Sequence, residues 1–294
     1  MVYGLPAIAS ALGSSTTAVV NILEGNGWIV DDQRPATPGY KKVKYNDAMQ
    51  SIENVLNYLK IDTADQKLQI TFSGDLVAAS GVGASAAQCT SLARALNNTF
   101  NLHLNDDQIN NTAYEGEKAY HGTPSGIDNT ASTFGGLIWF RKNLNGKKNT
   151  IDLLKSPIKI PLVIGNTGIT ASTTEVVADV RKQKNENPEK FNRIFNKYED
   201  LAQKAKNALL QGKIKEIGSL MNQNHELLQQ ITVSGDINDQ LVHIALNNGA
   251  NGAKMTGTGR GGLVIALANN AKVQDQIYNS IVKEGFTAWK TKIG

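Results

Sequence analysis

This sequence of 294 residues excludes several kinds of protein by what it lacks. It holds one cysteine, Cys89, so no internal disulfide can form and no zinc site of several thiolates can be built. Its four histidines (His103, His121, His225 and His243) lie far apart, and no pair has metal-ligand spacing. No apolar run approaches the ~20 residues of a membrane span, and the N-terminus has no signal-peptide charge pattern. Charge of one sign is scarce too. Thirty Lys+Arg against 26 Asp+Glu leave a net charge of +4, too thin for a nucleic-acid footprint. A pI near 8.9 nonetheless suits an anionic ligand. What is present is a chain 40% hydrophobic, long enough to bury roughly three-quarters of its unfolded surface. The expectation is a soluble, cytoplasmic, mixed α/β protein of one large or two ordinary domains, with neither nucleic acid nor membrane as partner.

Along the chain, residues 1–9 read as a turn into an apolar segment. Residues 45–60 read as a helix capped by Asn46 or Asp47, with Met49, Ile52, Val55, Leu56 and Leu59 on one face. Residues 68–72 alternate as a strand, a small-residue loop over 78–85 follows, and Cys89, Leu92, Leu96 and Phe100 mark the next helix. Asp106 or Asp107 caps a helix to about Tyr120. Strands are predicted over 137–140 and 160–164, with a polar turn over 142–149 between them and a domain boundary between Ser156 and Pro157. Beyond it the pattern predicts helices over 189–231 interrupted at Gly212, then a helix over 237–247. A glycine-rich run over 256–262, a strand over 263–267 and a helix over 273–284 complete the reading.

Four places could carry chemistry. Gly81-Val82-Gly83-Ala84-Ser85 lies between strand and helix, where glycines admit a bulky anion and free N–H groups at a helix start face it. The loop lacks the Gly-Lys-Ser/Thr ending of a Walker loop, and a close-packing turn is the competing reading. Ser85 reads either as an N-cap or as a hydroxyl facing phosphates or their metal ion. Glu117 sits at the edge of an apolar helix face, so it pairs with a cation or binds a metal, whereas Glu115 and Lys118 read as solvated. The string His121-Gly122-Thr123-Pro124-Ser125-Gly126-Ile127-Asp128-Asn129 is a shaped turn presenting Asp128, which could equally be a capping residue. His121 reads as a helix C-terminal residue. Four glycines among residues 257–262 form either a second anion cradle or a hairpin turn.

In this order the segments resemble the GHMP kinase superfamily, and the string from His121 to Asn129 is similar to its mevalonate-phosphorylating branch. The resemblance covers essentially the whole chain. It implies an α+β fold of two domains, residues 1–156 with mixed α/β structure and residues 157–294 ferredoxin-like, with the active site in the cleft between them. It implies ATP and Mg2+ as cofactors, with mevalonate as the small-molecule substrate in isoprenoid biosynthesis; a homodimer stays open. It further implies that Ala79, Ser80, Gly81, Val82, Gly83, Ala84 and Ser85 wrap the ATP phosphates, supported by Gly257 and Gly259. Ser85 and Glu117 match magnesium ligands, Asp128 matches the base that takes the substrate hydroxyl proton, and Thr173 matches a threonine beside the acceptor. The sequence departs from the family pattern in three ways. Val77-Ala78-Ala79 stand where proline and an extra glycine are usual. Ala84-Ser85 replace paired serines. The sequence also enters the first motif part-way, at Val2-Tyr3-Gly4-Leu5-Pro6, so the family's preceding strand, lysine and Gly-Glu-His step are not in it. Another GHMP kinase, acting on galactose or phosphomevalonate, and a non-catalytic nucleotide-binding relative are the alternatives.

Overall fold

The computed structural model describes residues 2–78, 81–169 and 171–294. The chain forms two compact units, one of Ser14–Gly135 and one of Met1–Gly13 with Gly136–Gly294. It enters through β1 (Pro6–Ser10), which belongs to the second of these.

The unit Ser14–Gly135 runs β2 (Thr17–Leu23), β3 (Trp28–Asp32), α1 (Tyr40–Val43), α2 (Tyr45–Tyr58), β4 (Lys67–Ser73), α3 (Ala84–Thr99), α4 (Asp106–His121) and α5 (Ile127–Phe134). β4 is central, antiparallel to β2 and parallel to β3. Its alternation sends Leu68, Ile70 and Phe72 into the interior. They meet Ile52, Val55 and Leu56 of α2 and Leu92 and Leu96 of α3. Burial of each such side chain contributes about 1.5–3 kcal/mol. α4 approaches α2 and α3 at Gly116, where an added Cβ would stand 2.7 Å from Cys89 Sγ and 2.9 Å from Val55 Cγ2. That close approach buries the next residue, Glu117.

The other unit continues with β5 (Leu137–Arg141), β6 (Thr150–Leu154), β7 (Ile160–Asn166), α6 (Thr173–Glu186), α7 (Pro188–Leu210), α8 (Ile214–Gln230), α9 (Asp236–Asn247), β8 (Gly252–Thr256), β9 (Leu263–Leu267), α10 (Ala271–Lys283) and β10 (Thr287–Ile293). One sheet has the order β1-β5-β6 and the other β10-β7-β9-β8, antiparallel throughout. Numbered along the chain, the second sheet runs 4-1-3-2, the ferredoxin-like order expected for this half. Among the described residues no helix is long and apolar enough to cross a membrane.

The α+β class holds, with differences in detail. The division of the chain does not follow the boundary expected between residues 156 and 157. β1 pairs with β5 in register Pro6↔Arg141 to Ser10↔Leu137, which draws residues 1–13 and 136–156 into the unit that contains β7 to β10. α4 is capped by Asn105, in a capping box with Gln108, rather than by Asp106 or Asp107. α2 starts after Lys44 with no side-chain cap, so neither Asn46 nor Asp47 serves.

Candidate active site

α3 begins without a side-chain cap. Its N-cap is Gly83, in left-handed backbone with φ 69°, so of the two readings of Ser85 the N-cap one does not hold. Gly81 is left-handed as well, with φ 89°. Both are conformations that glycine adopts without steric cost. The helical ladder starts with Ala87 N–H donating to Gly83 O at 2.9 Å. The N–H groups of Ala84, Ser85 and Ala86 therefore lie ahead of the ladder, at the positive end of a 16-residue helix. Val82 is half-buried in the turn before them. Ala79 and Ser80 lie outside the described residues.

Ser85, in the first turn of α3, has its hydroxyl beside Glu117 of α4. Glu117 is only 1% exposed, and its Oε1 has no hydrogen-bond partner among the described residues. Burial pushes its carboxyl up to about 7; hydrogen bonding by the Ser85 hydroxyl pulls it down, and the charge of Asp128 adds to the rise. Among the described residues no lysine or arginine pairs with Glu117; its one basic neighbour is His121, with Nε2 3.8 Å from Oε2. Any ion pair of Glu117 among the described residues is therefore with His121, and only when that imidazole is protonated. Glu115 and Lys118 do pair, at 2.7 Å and on the surface, as solvated charges would.

Asp128 lies in the first turn of α5, behind the left-handed N-cap Gly126. It is open to solvent, yet enough protein surrounds it that desolvation raises its carboxyl, with the charge of His121 opposing. α5 is sewn to α4 by Asn129, whose Nδ2 donates to Asn110 Oδ1 at 2.6 Å and to Asn110 O at 3.2 Å, while within α5 Thr130 Oγ1 donates to Gly126 O at 2.6 Å. His121 is the last residue of α4, as expected, and burial lowers its pKa. Ser85, Glu117 and Asp128 thus come from three consecutive helices of one unit, and Glu117 senses the other two.

The other candidates belong to the second unit. The glycine run links β8 to the antiparallel β9, so it is a hairpin connection, but a heavily constrained one. Gly257, Gly259, Gly261 and Gly262 all have positive φ. A Cβ on Gly259 would stand 2.2 Å from Val233 O. Asn238, fully buried on α9, donates to Gly261 O at 2.8 Å and accepts from Gly261 N–H at 2.7 Å. Thr167 Oγ1 donates to Gly262 O at 2.9 Å, while Gly262 N–H donates to Ile169 O at 2.7 Å. Thr173, the first residue of α6, has its hydroxyl 2.7 Å from that of Thr258. Thr173 and Gly257–Gly259 therefore share one place in this unit.

Sequence reasoning missed Arg34 and Asn238. Neither lies in a motif; a buried arginine announces itself only through the residues it holds.

The sequence matches the GHMP kinases N terminal domain over residues 46–136 and the GHMP kinases C terminal domain over residues 205–287. The mevalonate kinase of Thermococcus sibiricus is 31% identical, with 100% of this chain and 91% of that protein aligned. The mevalonate kinase of Pyrococcus horikoshii is 31% identical over 91% of this chain and 84% of its own length. The crystal structure of L. major mevalonate kinase in complex with R-mevalonate superposes with a TM-score of 0.95 at 38% identity, covering 99% of this chain and 90% of that one. With both domains matched in order and likeness along the full chain, this protein belongs to the GHMP kinases.

Proposed function

We propose that the chain transfers the γ-phosphoryl group of ATP to the primary hydroxyl of mevalonate, giving 5-phosphomevalonate. The observation that carries the mechanism is the grouping of Ser85, Glu117 and Asp128 beside an uncapped helix N-terminus. The choice of acceptor rests on the likeness to mevalonate kinases and on the string from His121 to Asn129.

Phosphoryl transfer depends on positioning and charge neutralisation more than on covalent chemistry. The N–H groups from Gly81 to Ser85 bind the phosphates, drawing on the helix dipole behind them. Asp128 accepts the hydroxyl proton, a role worth about 10²–10⁴ in rate. Its raised carboxyl is a better base than an ordinary aspartate while its exposure leaves it within reach of an acceptor.

Magnesium fits the residues present. Glu117 Oε1 is buried and has no partner among the described residues, and the Ser85 hydroxyl beside that carboxylate is a second hard oxygen donor. Among the described residues no three acidic, histidine or cysteine side chains converge. A sparse protein contribution suits magnesium, which keeps waters and takes phosphate oxygens. Glu117 and Ser85 would hold it, and when bound it neutralises charge on the phosphates. Gly257 and Gly259 are proposed as further nucleotide contacts and Thr173 as an acceptor contact.

The test is ADP release from ATP with mevalonate, phosphomevalonate and galactose in turn. Mevalonate is expected to exceed the others by about 100-fold or more, as for a site built to hydrogen-bond its own substrate. Turnover with another acceptor reassigns the substrate within the family. Nucleotide binding without turnover of any acceptor supports the non-catalytic alternative.

A further inference from the structure

Arg34 follows β3 and is only 6% exposed. Every arm of its guanidinium is engaged. Nε donates to Asp32 Oδ1 at 2.9 Å and Nη2 to Asp32 Oδ2 at 2.8 Å, a bidentate pair. Nη2 also donates to Gln88 Oε1 at 2.7 Å, and Nη1 to Ala84 O at 3.2 Å. The guanidinium carbon lies 5.3 Å from the centre of the Phe72 ring, on β4. Burial would raise the Asp32 carboxyl, but hydrogen bonds and charge from Arg34 hold it below its usual range.

The backbone just after Arg34 grips the other end of the same loop. Ala78 N–H donates to Pro35 O at 2.7 Å, and Thr37 N–H donates to Ala78 O at 3.2 Å. Ala78 is the residue from which the chain enters the glycine loop, and Ala84 is the first helical residue beyond it. A four-residue segment, Arg34 to Thr37, therefore fixes both ends of the loop. Gln88 extends the hold: its Nε2 donates to Ser51 Oγ at 3.2 Å, and its Oε1 accepts from Tyr120 Oη at 3.2 Å. Tyr120 lies three residues beyond Glu117 on α4.

We propose that Arg34 is a positioning residue for nucleotide binding, setting the span of the loop between Ala78 and Ala84 and the approach of α3 to α4. Each guanidinium nitrogen donates to a protein group, so Arg34 acts through the residues it holds. A lysine could keep the charge but could not reach Asp32, Gln88 and the Ala84 carbonyl together. The proposal rests on the reading that residues 81–85 bind ATP phosphates.

The experiment compares R34K, the double variant D32N/R34M, and S85A, each checked for folding by circular dichroism and thermal unfolding. The double variant removes both charges, so no bare charge is left in the interior should R34K fail to fold. Both are expected to raise the KM for ATP and the Kd for ADP about tenfold or more, with the KM for mevalonate within about twofold, because misplacing a binding group by ~1 Å can cost up to 10²-fold. A lowered melting temperature with nucleotide affinity unchanged in both overturns the proposal and leaves Arg34 structural. If S85A weakens ATP binding and the Arg34 variants do not, the site reading stands and this proposal falls. If the Arg34 variants weaken binding and S85A does not, the proposal holds through the loop backbone and Ser85 leaves the site.

Discussion

Each unit presents a glycine-rich loop, and the two are held by different chemistry. The loop ahead of α3 is bracketed by a buried arginine with its aspartate, next to a buried carboxyl near 7 and an exposed carboxyl raised by desolvation. The loop between β8 and β9 is held by a neutral amide, backbone stitches and hydroxyls. Its one arginine, Arg260, pairs with Asp179 at 2.5 Å, and both side chains are partly exposed, where an ion pair contributes little. A loop proposed to receive a polyanion beside acids has to keep its place as local charge changes, and a bidentate fork can do so. A loop whose proposed contacts come from glycine backbone alone can be held by groups that never titrate. Damage in the first place should therefore remove activity at unchanged stability, and damage in the second should remove stability.

The hardest test of that contrast is Asp128→Asn. Turnover with ATP and mevalonate is expected to fall by about 10²–10⁴, with the melting temperature and nucleotide affinity nearly unchanged. A variant keeping more than about a tenth of wild-type turnover would remove Asp128 as the base. Glu117→Gln comes next. The magnesium concentration for half-maximal rate should rise about tenfold or more, as when a metal site loses a supporting group. Thermal stability should hold or improve, because the carboxyl it replaces has no buried cation to lose. A clear drop in melting temperature at unchanged magnesium dependence would bring back the structural role.

In the other loop, Asn238→Leu keeps the volume but leaves the N–H and C=O of Gly261 without partners. A loss of about 3 kcal/mol is expected in denaturant unfolding, from two unsatisfied backbone groups. Equal stability would mean that the loop is held by its other stitches, to Thr167, Ile169, Thr173 and Val233. The smallest effect tests an exception. Lys254 on β8 donates to Met255 O at 2.6 Å, and burial lowers its pKa from 10.5 to about 8. The folded state then binds fewer protons than the unfolded chain between those values, so stability rises with pH across that window. Lys254→Met should raise the melting temperature at pH 7, with a gain that shrinks as pH approaches 10. A gain independent of pH would assign the effect to packing rather than to charge.

The parts of the fold that could be read in advance are those with one-sided burial. α2, β4, α3 and α4 each bury a regular stripe, and the structure places them within a residue or two of the expected bounds. β2 and β6 escaped because they are edge strands with most residues exposed, so no alternation reaches the sequence. β3 is a short edge strand of the same sheet, and β10 an edge strand with little buried. α6 buries only Val176 and Val180, too thin a stripe to be seen. β8 looks unlike a strand because Gly252 faces Gly218 of α8, where an added Cβ would stand 2.1 Å from a carbonyl oxygen. In the site, Glu117 was legible because an inward carboxylate is costly, and Gly81 and Gly83 because left-handed backbone favours glycine. The supports were not legible: the roles of Arg34 and Asn238 depend on partners 50 and 23 residues away.

The pairing of β1 with β5 also sets an order of assembly. On a ribosome β1 emerges before β5, and the two are separated by the synthesis of residues 14–135. That intervening stretch holds a core of its own and both of its ends are joined at the Ala11–Gly136 hydrogen bond of 2.9 Å. Closing so long a loop through an unfolded chain is entropically costly, whereas a folded insert brings the ends together beforehand. The unit carrying the acids is thus expected to fold before β1 finds its place beside β5.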